Sequence, residues 1–367
     1  MQQFLPLARR RDMLAFSTIG LLLTTLRVEA ADPSFPAKPI RLIIPFTPGG
    51  GTDFVARAIS QPLTERWKQP FVIDNRAGAG GSIGMEELAR SKPDGYTWGI
   101  GSAATITINP HVYAQKFNTL TDLVPVVHMA EAPNVLVVHP SLPARSLPEL
   151  IAHAKSQQGK LSYASNGVGT SAHLSGFMLA QQADFEAIHI PYKGMVGAND
   201  LLGGRVGFMF GTIPSFMQHI KAGTLRAIAV SSLERASSLP DIPTIAEQGF
   251  PGFSTSSWSG IFMPKGTPGE IVAKTSRDVN ELLAKPQLQE IFVREGLNLK
   301  TKGTPEEFAK FLKSVIVSEP SVFSRFRVVC ELFIAPLFWK MIVFGPDGTG
   351  DGLMVAAVLR FVLPLML

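Results

Sequence analysis

From residue 38 onward, short β-branched runs alternate with stretches whose apolar residues recur at helical spacing. Ile40-Arg41-Leu42-Ile43-Ile44 predicts a strand, and segment 54–67, with Phe54, Val55, Ala58, Ile59 and Leu63 on one face, predicts a helix. The same alternation predicts strands at 71–73 and 98–100 and a helix over 83–90. A βαβαβ order of this kind implies a parallel, doubly wound sheet with right-handed crossovers. Two consecutive strand-like runs follow, 124–129 and 134–139, and then a second αβ set. Its helices are predicted over 147–156, 172–182 and 198–202, and its strands over 161–164, 187–190, 206–210 and 225–230. Segment 256–262 reads as a return to the first sheet, followed by helices at 268–283 and 286–295. Two crossings between the halves imply two α/β lobes around a cleft, with 31–130 and 251–314 in the first lobe and 131–250 in the second.

Three connections share one design: a strand, then a glycine-rich loop with Ser, Thr, Asn or Asp, then a helix. They are 47–53, 75–82 and 166–171. A helix N-terminus presents unpaired N–H groups and a partial positive charge. Glycine lets a ligand approach that backbone closely, so such loops bind anions without Lys or Arg. The alternative is structural, since Thr52, Asp53, Ser82, Thr170 and Ser171 are also good N-cap residues. Gly167-Val168-Gly169-Thr170-Ser171-Ala172 matches a dinucleotide fingerprint, with Glu186 at about the right distance. It sits mid-chain and Glu186 precedes its strand, so an enzyme is the weaker reading. There is no P-loop, no nucleophile elbow and no His-Glu-x-x-His motif. The seven histidines show no metal-binding spacing, and no cofactor is expected. His173 falls in the first turn after the third loop, facing either a ligand or the helix cap.

Composition narrows the classes. The chain has 367 residues, enough for two domains, and a charged fraction of 17% with 46% hydrophobic residues excludes a disordered chain. The net charge is +5, of which residues 1–30 supply +2 through four arginines and two acids. The remaining +3 carries no basic run, which argues against nucleic acid as a partner. A single cysteine, Cys330, excludes an intrachain disulfide framework. Arg9-Arg10-Arg11, the apolar run 13–26 and Val28-Glu29-Ala30 read as an export signal over 1–30, of Sec or twin-arginine type, which places the body in a periplasm. Residues 315–367 hold two apolar stretches, 332–344 and 353–367, interrupted by Pro336, Lys340, Arg360 and Pro364. This atypical tail reads either as an unrelated extension or as an interfacial segment.

The loops carry a specific resemblance. Lys38–Phe46, Pro48-Gly49-Gly50-Gly51-Thr52-Asp53 and Asn75-Arg76-Ala77-Gly78-Ala79-Gly80-Gly81 open a series of motifs. It continues through Pro93-Asp94-Gly95-Tyr96-Thr97, Ile108-Asn109-Pro110, Pro191-Tyr192-Lys193-Gly194, Leu239–Thr244 and Gly303–Phe308. In order and over about residues 35–314, these resemble the substrate-binding proteins of tripartite tricarboxylate transporters, the Bug family. The resemblance implies a two-lobed Venus-flytrap protein, each lobe a doubly wound sheet with flanking helices. It implies no catalysis, a small carboxylate ligand, delivery to a two-component integral-membrane permease, and a monomer. A ligand sensor for a membrane receptor is the alternative within the same fold. The residues implied to grip the carboxylate are Phe46, Thr47, Gly49, Gly50, Thr52 and Asp53 in the first lobe, with Ser102 and Ala103 at a strand end. From the second lobe come Ser165, Asn166, Gly169, Thr170 and Ser171, with His173 nearby and Tyr192, Lys193 and Gly194 as a wall. Asp53 is expected to cap its helix or orient its loop. Family members often carry an acid where this chain has Gly211, so a carboxylate without an ammonium group is expected. The family's last helix is normally amphipathic, and here its pattern is lost near Val315.

Overall fold

The computed structural model describes residues 35–317. The export signal and the apolar tail thus lie outside the described residues, as does Cys330. The body begins with β1 (Ile40–Ile44), α1 (Gly51–Trp67), β2 (Phe71–Asn75), α2 (Ser82–Ala89) and β3 (Thr97–Ser102). The three strands are parallel in the order β2-β1-β3. A π-helical turn, Ala103–Ile108, and a short α3 (Asn109–Val112) follow β3. Where two strands were expected at 124–129 and 134–139, one strand of 16 residues, β4 (Leu123–Val138), runs through both. Pro133 has no N–H to donate, yet the strand continues through it by pairing with Ser256.

The second lobe comprises α4 (Leu147–Ser156), β5 (Ser162–Ser165), α5 (Ser171–Gln182), β6 (Ile188–Pro191), α6 (Gly197–Leu202), β7 (Phe208–Thr212), α7 (Ile213–Lys221) and β8 (Arg226–Val230). The chain then returns through β9 (Ser256–Pro264) to α8 (Gly269–Leu283), α9 (Pro286–Arg294), β10 (Asn298–Leu299) and α10 (Pro305–Val317). The sheet order is β2-β1-β3-β9-β4-β7-β5-β6, with β8 and β10 also paired to β4. β9 and the first part of β4 belong to the first lobe, and Asn134–Val138 of β4 pair with β7 in the second.

Side chains alternate across β4 with the period of a strand. Leu136 and Val138 enter one core with Phe208 and Phe210, while Val135 and Val137 enter another with Met209 and Phe216. The second-lobe sheet is therefore covered on both faces. In the first lobe, α10 lays Phe308 and Leu312 against Trp258 and Phe262, so a packed helix does close this lobe up to residue 317. The far end of α1 is anchored where Trp67 Nε1 donates to Asp278 Oδ2 at 2.7 Å, with Lys274 and Arg66 on the same carboxylate. Among the described residues no helix is long and apolar enough to cross a membrane.

Candidate functional site

Helix α1 starts at Gly51, three residues before the apolar pattern suggests, because extended Gly50 is its N-cap residue and supplies no side-chain cap. The amides at its first turn consequently have no helical acceptor. Asp53 is not that cap. Its Oδ2 accepts from the Gly49 N–H at 3.1 Å and from Arg57 Nε at 2.9 Å, and its Oδ1 accepts from Asn75 Nδ2 at 3.2 Å. Burial alone would raise the Asp53 pKa, but the hydrogen bonds from Arg57, Gly49 and Asn75 outweigh it and hold the carboxyl below its usual range. An ionised Asp53 thus pins the loop and faces away from the cleft.

Three more helical starts meet α1. Thr170 is the N-cap of α5; its side chain accepts from the His173 N–H and donates to the Gly167 carbonyl at 2.7 Å. Thr212 is the extended N-cap of α7, a helix not anticipated from the pattern, and bonds Ser215 Oγ at 3.0 Å. The π-helical turn begins after Ser102, whose N–H donates to Thr105 Oγ1 at 2.9 Å. A Cβ on Gly51 would stand 2.5 Å from Thr212 Oγ1, so the starts of α1 and α7 touch.

These termini enclose a cavity of about 40 Å³, room for roughly three waters or one small polar group. From the first lobe, Phe46, Thr47, Gly50, Thr52 and Ser102 line it; from the second, Asn166, Thr170, Ser171, Gly194 and Gly211. No ionisable side chain is among its lining residues. An anion there would meet N–H groups, hydroxyls and four helix starts.

Other expected residues stand elsewhere. Gly49 is held by Asp53, and Ala103 leaves its place on the wall to Ala104. Ser165, Gly169 and His173 lie behind the loop and buttress it. Tyr192 turns its hydroxyl onto the Asp200 carboxylate, and with Lys193 it borders an adjoining groove of about 420 Å³ that shares Phe46, Asn166 and Gly194 with the cavity. That groove also takes the second glycine loop. In the sheet order β2 lies outside β1, so its carboxyl end reaches the rim and not the cavity. There Gly80 meets the other lobe so closely that a Cβ would fall 2.6 Å from the Val168 carbonyl.

Sequence reasoning missed Asn134 and Ser257, which enter the cavity from the crossing strands, and Met195 and Thr212. Asn134 is fully buried, accepts from Ser171 Oγ at 3.3 Å and donates to Ser175 Oγ at 3.2 Å. A lone amide heading the run Val135–Val138 was the available signal. The lobes also bond directly: the Met195 N–H donates to Thr47 Oγ1 at 3.1 Å, and Tyr113 Oη donates to the Val168 carbonyl at 3.0 Å. Gly194 has φ +72°, and any Cβ there would strike Thr47 Oγ1. The cleft is closed.

Residues 55–322 match the model of the tripartite tricarboxylate transporter family receptor. This chain belongs to that family. It is 40% identical over 308 residues to a UPF0065 protein from the tcbD-tcbE intergenic region of Pseudomonas sp. strain P51, covering 83% of this chain and 91% of the relative. Among solved structures it resembles Rpa4515 of R. palustris with adipate, with TM-score 0.77 and 34% identity over 80% of this chain and 98% of that one. The periplasmic binding protein BugD superposes with TM-score 0.75 at 33% identity, over 80% and 98% of the two chains. MatC of Rhodopseudomonas palustris, with bound malate, gives TM-score 0.73 at 28% identity, over 81% and 100%. The fold is the two-lobed periplasmic-binding-protein fold, and the family's members are periplasmic receptors, not enzymes. The nucleotide fingerprint accordingly has a structural explanation. Its glycines bring the loop against Asn109 and Gly80, and Glu186 is exposed ahead of β6, beside Gly159.

Proposed function

We propose that this receptor captures a small carboxylate without an ammonium group and hands it, from the closed state, to a two-component membrane permease. The observation that carries the reading is the ion-free cavity at which helix starts from both lobes converge. A carboxylate seated there is held by both lobes at once only when the cleft is shut, so the ligand stabilises closure. Release needs no salt bridge to break. Adipate and malate in the solved relatives support the ligand class. Gly211, which puts no side chain on the wall, supports ligands lacking a cation. In this reading residues 1–30 are removed on export by the Sec or twin-arginine route. Residues 31–130 and 251–314 move as one lobe, 131–250 as the other, and the receptor works as a monomer.

Thermal-shift measurement on the full chain tests it, with adipate, malate, tricarboxylates, aromatic acids, NAD and ATP as probes. A ligand at 100 times its Kd should add about 2.7 kcal/mol of stability. Gly50→Leu is expected to abolish the shift while the unliganded protein still melts cooperatively. Gly50 has φ −85°, and a Cβ there has only Met195 near it at 3.8 Å. Stabilisation by a nucleotide alone would overturn the reading.

A further inference from the structure

Behind the second-lobe loop, His173 on α5 and His189 on β6 stack face to face, with ring centroids 3.7 Å apart and planes 8° from parallel. Each imidazole holds one end of the loop. Ser165 Oγ and His189 Nε2 are bonded at 2.7 Å, and that same hydroxyl bonds the Gly167 carbonyl and N–H. At the other end, the Gly169 N–H donates to His173 Nδ1 at 3.4 Å, and the His173 N–H donates to Thr170 Oγ1. Between these ends lies Asn166, and just beyond them Ser171; with Thr170, both line the cavity. The Gly169 bond needs a bare Nδ1 nitrogen on His173. The Ser165 hydroxyl proton goes to the Gly167 carbonyl, so His189 Nε2 donates to that hydroxyl, and a further proton on His189 would bury a charge against the stacked rings.

We propose that His173 and His189 are positioning residues: stacked as neutral imidazoles, they hold loop 165–170 in its anion-binding shape, and a proton on either one loosens the loop and releases the ligand. The surroundings fit that role. Tyr163 from β5 stacks on His189 at 4.8 Å and on Phe208 of β7 at 5.2 Å, so aromatic rings wall the pair. Tyr163 is the other titratable group in the stack. The charged residues of the adjoining connections, Asp184, Glu186 and Lys193, are exposed. His173 is 3% exposed whereas His189, on the edge strand, is half-buried, so His189 is the member that solvent protons reach. Burial pushes His189 down to about 4, and burial followed by the neighbouring His189 pushes His173 down. Opening the loop returns the rings toward their ordinary value, so acid favours the open loop from about pH 6.5 downward.

The inference rests on the carboxylate reading, and the test separates the two. Calorimetric titration of the full chain with adipate and with malate is run at about pH 7.5 and about pH 5, alongside hydrogen exchange of loop 165–170 without ligand. Wild-type affinity should fall about tenfold more between those pH values than that of His189→Gln, which keeps a bonding partner for Ser165 and does not titrate. Protonation of the ligand itself is common to both proteins and cancels in their ratio. His189→Leu should weaken binding at both pH values, with His189→Gln restoring most of the loss at neutral pH. Corrected for the slower intrinsic exchange in acid, protection of the loop should fall further in the wild type than in His189→Gln. Parallel affinity losses in wild type and His189→Gln, with equal loop exchange, would overturn the clamp. Failure of the wild type to bind either acid at neutral pH would instead count against the carboxylate reading, and loop exchange would still decide the clamp.

Discussion

At the scale of single residues, the cleft is shaped in part by side chains that do not line it. Asp53 is the clearest case, since its carboxylate organises Gly49, Asn75 and Arg57 from behind α1. Asp53→Ala would leave the Gly49 N–H without its acceptor and the Asn75 amide with the Phe46 carbonyl alone, and should cost about 1–3 kcal/mol in denaturant unfolding. Its depressed pKa adds a pH signature: the stabilisation is full above the ordinary carboxylate value and disappears as pH falls through the lower folded value. His128 behaves differently. It is 8% exposed, stacked on Phe308 and Phe311 of α10, and burial, with a smaller contribution of the same sign from Lys300 and an opposing one from Glu131, pushes it down to about 4. Stability is thus full above about 6.5 and is lost as pH falls toward 4. His128→Phe should retain on the order of 3 kcal/mol at about pH 4 that the wild type loses, as urea unfolding would register. The glycine loops themselves were legible from residue types alone. What the types could not convey was direction: Thr52 and Ser171 face the cavity, while Gly49 and Ser165 face the scaffold.

At the scale of elements, periodicity located most strands and helices of the body and passed over α3, α7, β10 and α10. The starts of α1 and α7 abut across the lobes, where a Cβ on Gly51 would stand against Thr212, a contact that periodicity does not carry. The pair of short strands expected around residue 130 is one long β4, because β9 supplies a partner along its first part and β7 and β8 along its second. Tertiary pairing carries the strand through the gap between the two expected runs, Pro133 included. Closure is likewise a matter of elements meeting. The Tyr113–Val168 hydrogen bond joins α3's end to the α5 loop and exists only with the cleft shut. Tyr113→Phe should therefore weaken ligand affinity about fivefold, the worth of one ordinary hydrogen bond, and leave unfolding of the unliganded protein nearly unchanged if that form is open. Titration calorimetry beside thermal melting distinguishes this from general destabilisation, which would lower both.

At the scale of the whole molecule, the two-lobe plan was readable from the order of strands, since a parallel set interrupted by a second αβ set can rejoin its own sheet only by crossing back. The cavity was less readable, because four of its lining residues, Asn134 and Ser257 from the crossing strands with Met195 and Thr212, carry no motif of their own. Ligand binding should shift the chain from open to closed forms, seen as a reduced radius of gyration in solution scattering with an activating carboxylate and no change with NAD. A final consequence follows from how charge is distributed around the cleft. Arg57 and Lys193 border other grooves, and on the proposed reading the ligand's counter-charge is carried by peptide dipoles beneath both lobes. Dissolved ions screen exposed charges over about 10 Å at 0.1 M but reach buried dipoles poorly. Such a receptor would hold its ligand almost equally well in fresh and in brackish surroundings, with affinity nearly independent of ionic strength where an arginine-based site would weaken with every increment of salt.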